Sequence, residues 1–357
     1  MRYFILMGTV VAALFGYYLV WNRLADRVLA ETRSWIAERR AAGLQVEHGT
    51  LHVDGFPFRL QLTIPNPAFA DPRSPSQWRW QGTGLTAYTQ PWTINHVILQ
   101  AQGDQLIIWR DRNLPRHLTV RGSSLRASLV FTISGEIDHG DADLQDVELG
   151  TDVGPVKAAR LQGHARRSTG APAAPPVAGS SPSPMPGLDV ALSTDGLVLA
   201  PALNGPLGLN ISKAELAGTI SGPVRPGPIE QALANWRDDG GDIDLNALHL
   251  AWGPLDLKGN GTLALDKEMR PLGAMTAEVR GYNETLDALG QALQLRPGDI
   301  RTIKVVLAAL ASQGSDGKTY LTLPITAQDG SLFLGPARLM RLLPVIPTDT
   351  IPASPSP

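Results

Sequence analysis

The sequence predicts a β-rich α+β protein, in which an N-terminal transmembrane helix precedes a curved antiparallel sheet of serial hairpins with a few packed helices. Three observations predict this class: an uncharged stretch near the N-terminus, a switch of hydrophobic period from about 3.6 to 2 after Gly43, and frequent turn residues. The 36 glycines and 29 prolines among 357 residues favour short strands over long helical bundles.

Composition excludes several classes of function. The net charge of −2 argues against nucleic acid as a partner, because phosphate binding needs a concentrated basic face. Cysteine is absent, which excludes disulfides, thiolate metal sites and cysteine nucleophiles. The sequence carries no motif typical of serine hydrolases, zinc proteases or dinucleotide-binding proteins. We therefore expect neither an enzyme activity nor a cofactor.

The first segment predicts a membrane anchor over residues 1–21. Residues Tyr3 to Trp21 hold no charged side chain, and these 19 residues would rise roughly 28 Å as a helix, about one hydrocarbon core. Aromatic side chains lie at both ends, where they favour the headgroup zone. A secretory signal peptide is the alternative, since small residues ending at Ala30 offer a cleavage site. The stretch is longer than the apolar region of most signal peptides, so we expect it to stay uncleaved.

The orientation of this anchor is a separate inference. Only Arg2 precedes the span, whereas five arginines follow it within residues 23–40, and a strict positive-inside count would place the bulk in the cytoplasm. Long domains, however, translocate largely regardless of flanking charge. We expect a single-pass inner-membrane protein with the bulk of the chain in the periplasm.

A helix is expected to continue out of the membrane through residues 22–43. Its apolar positions Leu24, Val28 and Ile36 follow a helical spacing, and Gly43 supplies the stop. We interpret this segment as a spacer. A basic amphipathic helix lying on lipid is the alternative.

The clearest strand pattern is HVDGFPFRLQLTIP, residues 52–65. Asp54-Gly55 is typical of a two-residue hairpin turn, with Phe58 to Ile64 as the returning strand. Pro57 has no backbone N–H and is tolerated only at a strand start or edge. One side of this segment is wholly apolar and forms our candidate ligand groove: Phe56, Phe58, Leu60, Leu62 and Ile64.

The rest of the chain divides by composition. A segment rich in Pro, Ala, Gly and Ser at 166–187 is expected as a disordered linker or a long loop, and the sequence leaves open whether it separates two domains. It divides the β-rich region into halves at 44–165 and 188–343, and residues 344–357 form a disordered tail. Amphipathic patterns predict helices that cover part of the sheet at 228–239, 283–295 and 299–312.

Two polar features are candidate sites. The acidic run 136–148 is the best metal candidate, but it lacks the glycine and glutamate positions of a calcium loop, so we expect a solvated turn and no metal. His96 has Asn95 and Trp92 nearby in QPWTINHVI, and the three line a pocket only if the family resemblance carried by this segment is real. The alternative is a polar residue at a strand edge.

Four segments together resemble the alphaproteobacterial family called domain of unknown function 2125. They are GFPFRLQL at 55–62, QPWTINHVI at 90–98, GTLALDKEMRPLGAMTAEVRGY at 261–282 and LPITAQDGSLFLGPARL at 323–339. The resemblance implies a membrane-anchored envelope protein of undetermined activity, with 166–187 as a variable insert. The layout is also similar, by architectural analogy alone, to AsmA-like envelope proteins, whose curved sheets are thought to hold lipid.

These observations favour a membrane-anchored periplasmic protein that binds membrane lipid or another apolar ligand in a sheet groove and serves envelope maintenance. The alternative is a non-enzymatic envelope scaffold that binds a protein partner through a sheet edge near Pro57. The first hypothesis predicts that Leu60→Glu abolishes lipid binding without unfolding the protein.

Overall fold

The structure is a computed structural model. It describes residues 2–346 with the following gaps: 75, 112–113, 169–186, 224, 226–228, 293, 295, 315–316 and 336. The chain divides into two compact units, Met1–Asp152 and Val153–Pro357.

The first unit begins with one long helix, α1 (Arg2–Ala41). Its first half is apolar and exposed, and the helix is long and apolar enough to cross a membrane. The helix ends as the sequence predicts, at Gly43, whose φ of +87° favours glycine. Gly43 N–H donates to the Arg40 carbonyl at 2.9 Å and Leu44 N–H to the Arg39 carbonyl at 3.0 Å, which is the Schellman arrangement.

Antiparallel strands make up the rest of the first unit. They are β1 (Gln45–Glu47), β2 (His52–Asp54), β3 (Leu60–Pro65), β4 (Ala68–Ala70), β5 (Arg79–Gln90), β6 (Thr93–Asp111), β7 (Leu114–Arg121), β8 (Ser124–Phe131) and β9 (Ile137–Thr151). The long strands β5 and β6 pair along most of their length. On the outer side of β5 lie β3 and β4, which pair with β2 and β1 respectively. On the other side of β6, β7 and β8 both pair with β6 and with β9.

The β2–β3 connection differs from the predicted two-residue turn. The strands pair through Asp54 and Gln61, so residues 55–59 form a longer loop, closed by a hydrogen bond from Arg59 N–H to the Gly55 carbonyl at 3.1 Å. The returning strand begins at Leu60 rather than Phe58. The physical reason is Pro57, which cannot donate to a strand ladder and therefore keeps its neighbours out of the sheet. The Phe56–Pro57 peptide bond is cis.

The second unit is also an antiparallel meander. Its strands are β10 (Gly154–Ser168), β11 (Gly187–Val198), β12 (Asn210–Ser221), β13 (Asp242–Trp252), β14 (Leu255–Leu265), β15 (Pro271–Arg280), β16 (Ser312–Gln313), β17 (Thr319–Gln328), β18 (Ser331–Leu334) and β19 (Ala337–Arg341). Each of β10 to β14 pairs with the next strand in sequence. β17 then pairs with β15, and β18 and β19 follow in order.

The predicted linker falls inside this second unit. Ser168 and Gly187 are paired residues of the β10–β11 hairpin, so the chain on either side of the segment belongs to one hairpin. The boundary between the compact units lies at 152/153 instead. Residues 169–186 and 347–357, which carry the disorder predictions for the linker and the tail, lie outside the described residues.

In the described part of the second unit, a short 3₁₀ helix (Pro201–Leu203) and three α-helices interrupt the strands. The α-helices lie near the predicted positions: α2 (Ile229–Asp238), α3 (Tyr282–Ala292) and α4 (Pro297–Leu310). The buried core at this end of the sheet consists of Ala277, Val279, Tyr282 and Leu321. Leu307 of α4 packs against this core, as do several sheet leucines. The helices α3 and α4 therefore cover the apolar face where β14, β15 and β17 adjoin.

Candidate functional site

The predicted groove residues occupy two different environments. Phe56 and Phe58 lie in the 55–59 loop, where 46% and 72% of their surface is exposed. Phe56 packs edge-on against the rings of Tyr18, at 5.5 Å between centroids, and Trp21, at 5.6 Å. Phe56 therefore belongs to an aromatic cluster at the end of the apolar part of α1, whereas Phe58 is mostly exposed.

The other three residues lie beneath α1. Leu60 is 2% exposed and packs in a buried cluster with Trp21 and Ala25, and Leu62 is 8% exposed and packs with Ile36. Ile64 is partly buried against the same group. The alternation in the sequence places all five side chains on one side of the segment. In the structure, the three strand residues pack beneath α1, whereas the two loop residues are largely exposed.

The apolar face of the first unit continues beyond this cover. The packing of α1 is concentrated on β1, β2 and β3. In the register of the sheet, Leu62 lies opposite Ala87, and the same row runs through Leu99, Ala127 and Ala142. Leu99 and its neighbours in this row are only half-buried. The helix therefore covers one edge of the apolar face and leaves the middle of this face partly exposed.

Among the described residues, the second unit also has an exposed apolar area. Leu192 of β11 lies directly opposite Leu216 of β12, and Leu216 lies opposite Leu248 of β13. Leu192 is 52% exposed and Leu216 is 37% exposed. Side chains two residues away along the same strands, such as Val190 and Leu250, point to the same face. We call this area, centred on Leu192, Leu216 and Leu248, the leucine trough.

Sequence reasoning missed the leucine trough. A signal was present, because Leu188, Val190 and Leu192 alternate with Asp189, Ala191 and Ser193. The alternation shows that these leucines share a face, but it contains no information about where α2, α3 and α4 pack. Only the tertiary structure shows that these leucines remain exposed.

The opposite face of the second unit is ion-paired. Lys213 Nζ lies 2.8 Å from a Glu215 carboxylate oxygen. The hydrogen bond from Lys213 lowers the pKa of Glu215, outweighing the opposing effect of burial, and His249 contributes in the same direction. His249 also contacts Asp256 at 2.9 Å. This face is a solvated surface of paired charges, and it contrasts with the leucine trough behind it.

The acidic run does not form the expected turn. Residues 137–151 form strand β9, in which successive side chains point to alternate faces, so the acidic side chains are divided between the two faces of the sheet. An Asp138 carboxylate oxygen lies 2.9 Å from His139 Nδ1, and the Asp143 carboxylate accepts a hydrogen bond from Gln145 at 3.0 Å. Within the described residues, no group of three His, Asp or Glu side chains is placed to hold a metal ion.

His96 lies on β6, and its Nε2 is 2.9 Å from the Ser128 hydroxyl of β8. It lines an open groove with Arg59, Tyr88 and Arg126. Asn95 points elsewhere and donates to the Phe131 carbonyl at 3.3 Å. The predicted grouping of His96 with Asn95 is therefore replaced by a grouping with two arginines and a tyrosine.

These features define a class: an antiparallel β-sheet protein with one N-terminal helix of membrane-spanning length. The chain belongs to the family DUF2125, whose family model matches residues 21–342 and which is described as an uncharacterized protein conserved in bacteria. Neither the curated proteins nor the solved structures include a match to this chain.

Proposed function

We propose that this protein is a single-pass inner-membrane protein whose periplasmic sheet binds the acyl chains of membrane lipid, or a similar apolar ligand, in envelope maintenance. The observation that supports the proposal is the leucine trough, where Leu192 and Leu216 lie side by side and exposed on an otherwise apolar face. Large exposed apolar patches on proteins commonly mark interaction sites.

The energetics suit an acyl chain. Covering ten methylenes would be worth roughly 8 kcal/mol at about 0.8 kcal/mol each, which leaves useful affinity after the costs of association. Such binding needs shape and apolar surface rather than a particular reactive group. The proposal therefore assigns the protein no catalytic step and no cofactor.

The alternative of a partner strand at the sheet edge is less well supported. The edge strand near Pro57 is β2, which is only three residues long. A partner strand paired with it would gain few main-chain hydrogen bonds, and these bonds supply most of the affinity in this mode of recognition.

The proposal can be tested with the full chain in nanodiscs that contain a phospholipid with a photoreactive acyl chain. We expect adducts on α1 from the bilayer, and additional adducts on peptides of β11 and β12. Replacing Leu192 and Leu216 with glutamine should remove the strand adducts and keep those on α1. Thr262→Gln, on the polar face of β14, is the control and should change neither. Adducts confined to α1 in the unmodified chain would contradict acyl binding by the sheet.

The orientation needs its own measurement. Since the chain has no cysteine, Thr262→Cys introduces a single exposed thiol. We expect a membrane-impermeant maleimide to label this thiol from the periplasmic side in cells with a permeabilised outer membrane. Labelling that requires lysis of the inner membrane would place the sheet in the cytoplasm.

A further inference from the structure

A groove on the polar side of the first unit is lined by cationic side chains. This groove lies beside the end of the apolar helix segment. Its volume is about 480 Å³. The loop before β3 and the strands β5, β6 and β8 line it, with side chains that include Arg59, Tyr88, His96, Ile98 and Arg126. The lining contains no carboxylate. Ligand pockets in proteins usually have volumes of about 300–1,000 Å³, so the groove is large enough for a small polar group.

The two arginines are available to a ligand. The Arg59 guanidinium lies over the Tyr88 ring, 5.5 Å from its centroid, and makes no ion pair with a carboxylate among the described residues. Arg126 is exposed and likewise has no carboxylate partner in the described part of the chain. Asp143 lies opposite Arg126 across the β8–β9 pair, and accepts a hydrogen bond from Gln145. Arginine binds phosphate or carboxylate through two parallel hydrogen bonds, so the groove suits an anion of this kind.

Two contacts place this groove next to the membrane end of α1. The Tyr17 hydroxyl donates to the Pro57 carbonyl, and Trp21 Nε1–H donates to the Arg59 carbonyl at 3.1 Å. Tyr17 and Trp21 are at the end of the uncharged stretch of the helix. A bilayer that covers this stretch therefore has its headgroup layer beside Arg59.

The hairpin tips at the same end of the sheet carry exposed apolar side chains. Phe58 lies in the β2–β3 loop, and Trp92, which is 62% exposed, lies in the β5–β6 turn; Ile94 follows it and is also exposed. β3 and β5 pair at Leu60 and Thr89, so these two tips are neighbours. Exposed aromatic side chains favour the interface between water and hydrocarbon.

We propose that the groove lined by Arg59, His96 and Arg126 binds the anionic phosphate headgroup of a membrane lipid, while Phe58 and Trp92 insert into the bilayer surface. The inference rests on the part of the proposed function that places α1 across a bilayer. It does not rest on acyl binding, because Arg59 and Leu60 alternate along the chain and the groove opens on the face opposite the one that α1 covers.

The site is tested with the full chain in nanodiscs of mixed phosphatidylglycerol and phosphatidylcholine, followed by quantification of the lipids retained after detergent extraction. We expect phosphatidylglycerol to be enriched among the retained lipids. The double variant Arg59→Gln, Arg126→Gln should reduce this enrichment about tenfold. Arg110→Gln removes an exposed arginine near the other end of β6 and is the matched control, which should keep the enrichment. Equal retention in the double variant and the unmodified chain would overturn the headgroup site.

A second arm separates a lipid from a soluble anion. If inorganic phosphate binds to the detergent-solubilised chain through Arg59 and Arg126, while phosphatidylglycerol enrichment does not depend on them, the groove is a soluble-anion site and the proposal is wrong. If no variant associates with nanodiscs at all, the membrane anchor itself is refuted, which is a failure of the proposed function.

Insertion of the tips is measured with single thiols, which the absence of native cysteine allows. A spin label at Trp92→Cys should be shielded from a water-soluble relaxation agent in nanodiscs. The control is Leu114→Cys, an equally exposed apolar position that begins β7 beyond the far end of β6. Its label should remain accessible. Equal accessibility at both positions would show that the tips do not meet the bilayer.

Discussion

The Trp21 indole donates a hydrogen bond to the Arg59 carbonyl at 3.1 Å and thereby joins the end of the apolar helix segment to the loop that precedes β3. Directly beneath this bond, Leu60 packs against Trp21 and Ala25. The Phe-Pro-Phe sequence is thus explained by two roles. Pro57 ends the strand ladder and Phe56 packs on the aromatic rings of the helix.

Truncation of Leu60 should destabilise the first unit. Because Leu60 is almost fully buried, we expect Leu60→Ala to lower the free energy of unfolding by about 2–5 kcal/mol, through lost burial and the cavity left behind. Phe58→Ala removes a larger but mostly exposed side chain and should cost no more than about 0.5 kcal/mol. Denaturant titrations followed by circular dichroism compare the two. A larger loss for Phe58→Ala would contradict the burial seen beneath α1.

The burial of Leu60 also changes the result expected for Leu60→Glu. Leu60→Glu would place a charge in the contact between α1 and β3, so we expect it to unpack the helix rather than affect ligand binding alone. Leu192 and Leu216 are the better positions for a test of lipid binding, because their exposure allows polar replacement without an unpaired buried group.

Gly281 should tolerate no side chain. Its φ is +65°, and an added Cβ would overlap the carbonyl oxygen of Pro254. We expect Gly281→Ala to destabilise the second unit by about 1–3 kcal/mol or more, since both backbone strain and steric overlap oppose it. Gly298→Ala is the matched control, because Gly298 lies in α4 with no neighbouring atom within 4 Å of the new Cβ. Alanine should stabilise that helix by up to about 1 kcal/mol. Thermal melts that rank the two variants the other way would refute the geometry of this turn.

Asp266 should make the β14–β15 turn dependent on pH. Its carboxylate accepts hydrogen bonds from Arg270 Nε at 2.7 Å and from the backbone N–H groups of Arg270 at 2.8 Å and Glu268 at 3.0 Å. Burial alone would raise the pKa of Asp266, but these bonds and the Arg270 charge outweigh it and hold the pKa below its ordinary value of 3.8. The ionised carboxylate therefore stabilises the fold above the unfolded-state pKa, and this stabilisation is lost as pH falls through the lowered folded-state value.

Asp266→Asn measures this contribution. We expect a loss of about 1–3 kcal/mol at neutral pH, because charge-assisted hydrogen bonds are lost from a partly buried site. The difference from the unmodified protein should shrink below about pH 4. Glu268→Gln is the control, since the pair of Glu268 with Arg270 is exposed on the glutamate side and should contribute no more than about 1 kcal/mol. A difference that is constant from acid to neutral pH would exclude the role of the ionised carboxylate.

The sequence by itself determined the local features of this protein. The uncharged run predicts the apolar part of α1, Gly43 predicts its end, and the 3.6-residue patterns predict α2, α3 and α4 to within a few residues. These succeed because helix periodicity and glycine caps depend on neighbours within a few positions of the chain. The connection after Asp54 is longer than the predicted two-residue turn, because the strand ladder resumes only at Leu60, beyond Pro57.

The tertiary structure decided which apolar side chains are covered. Alternation shows only that Leu60 and Leu192 each share a face with their second neighbours along the strand. It does not distinguish a covered face from an exposed one. The exposure of these two leucines depends instead on where α1, α3 and α4 pack, which is set by contacts between side chains many positions apart, such as Trp21 with Leu60 and Leu307 with the core that contains Ala277. For that reason Leu60 is part of the core and Leu192 is exposed. Which side chains a helix covers depends on tertiary contacts, and a local sequence pattern contains no information about them.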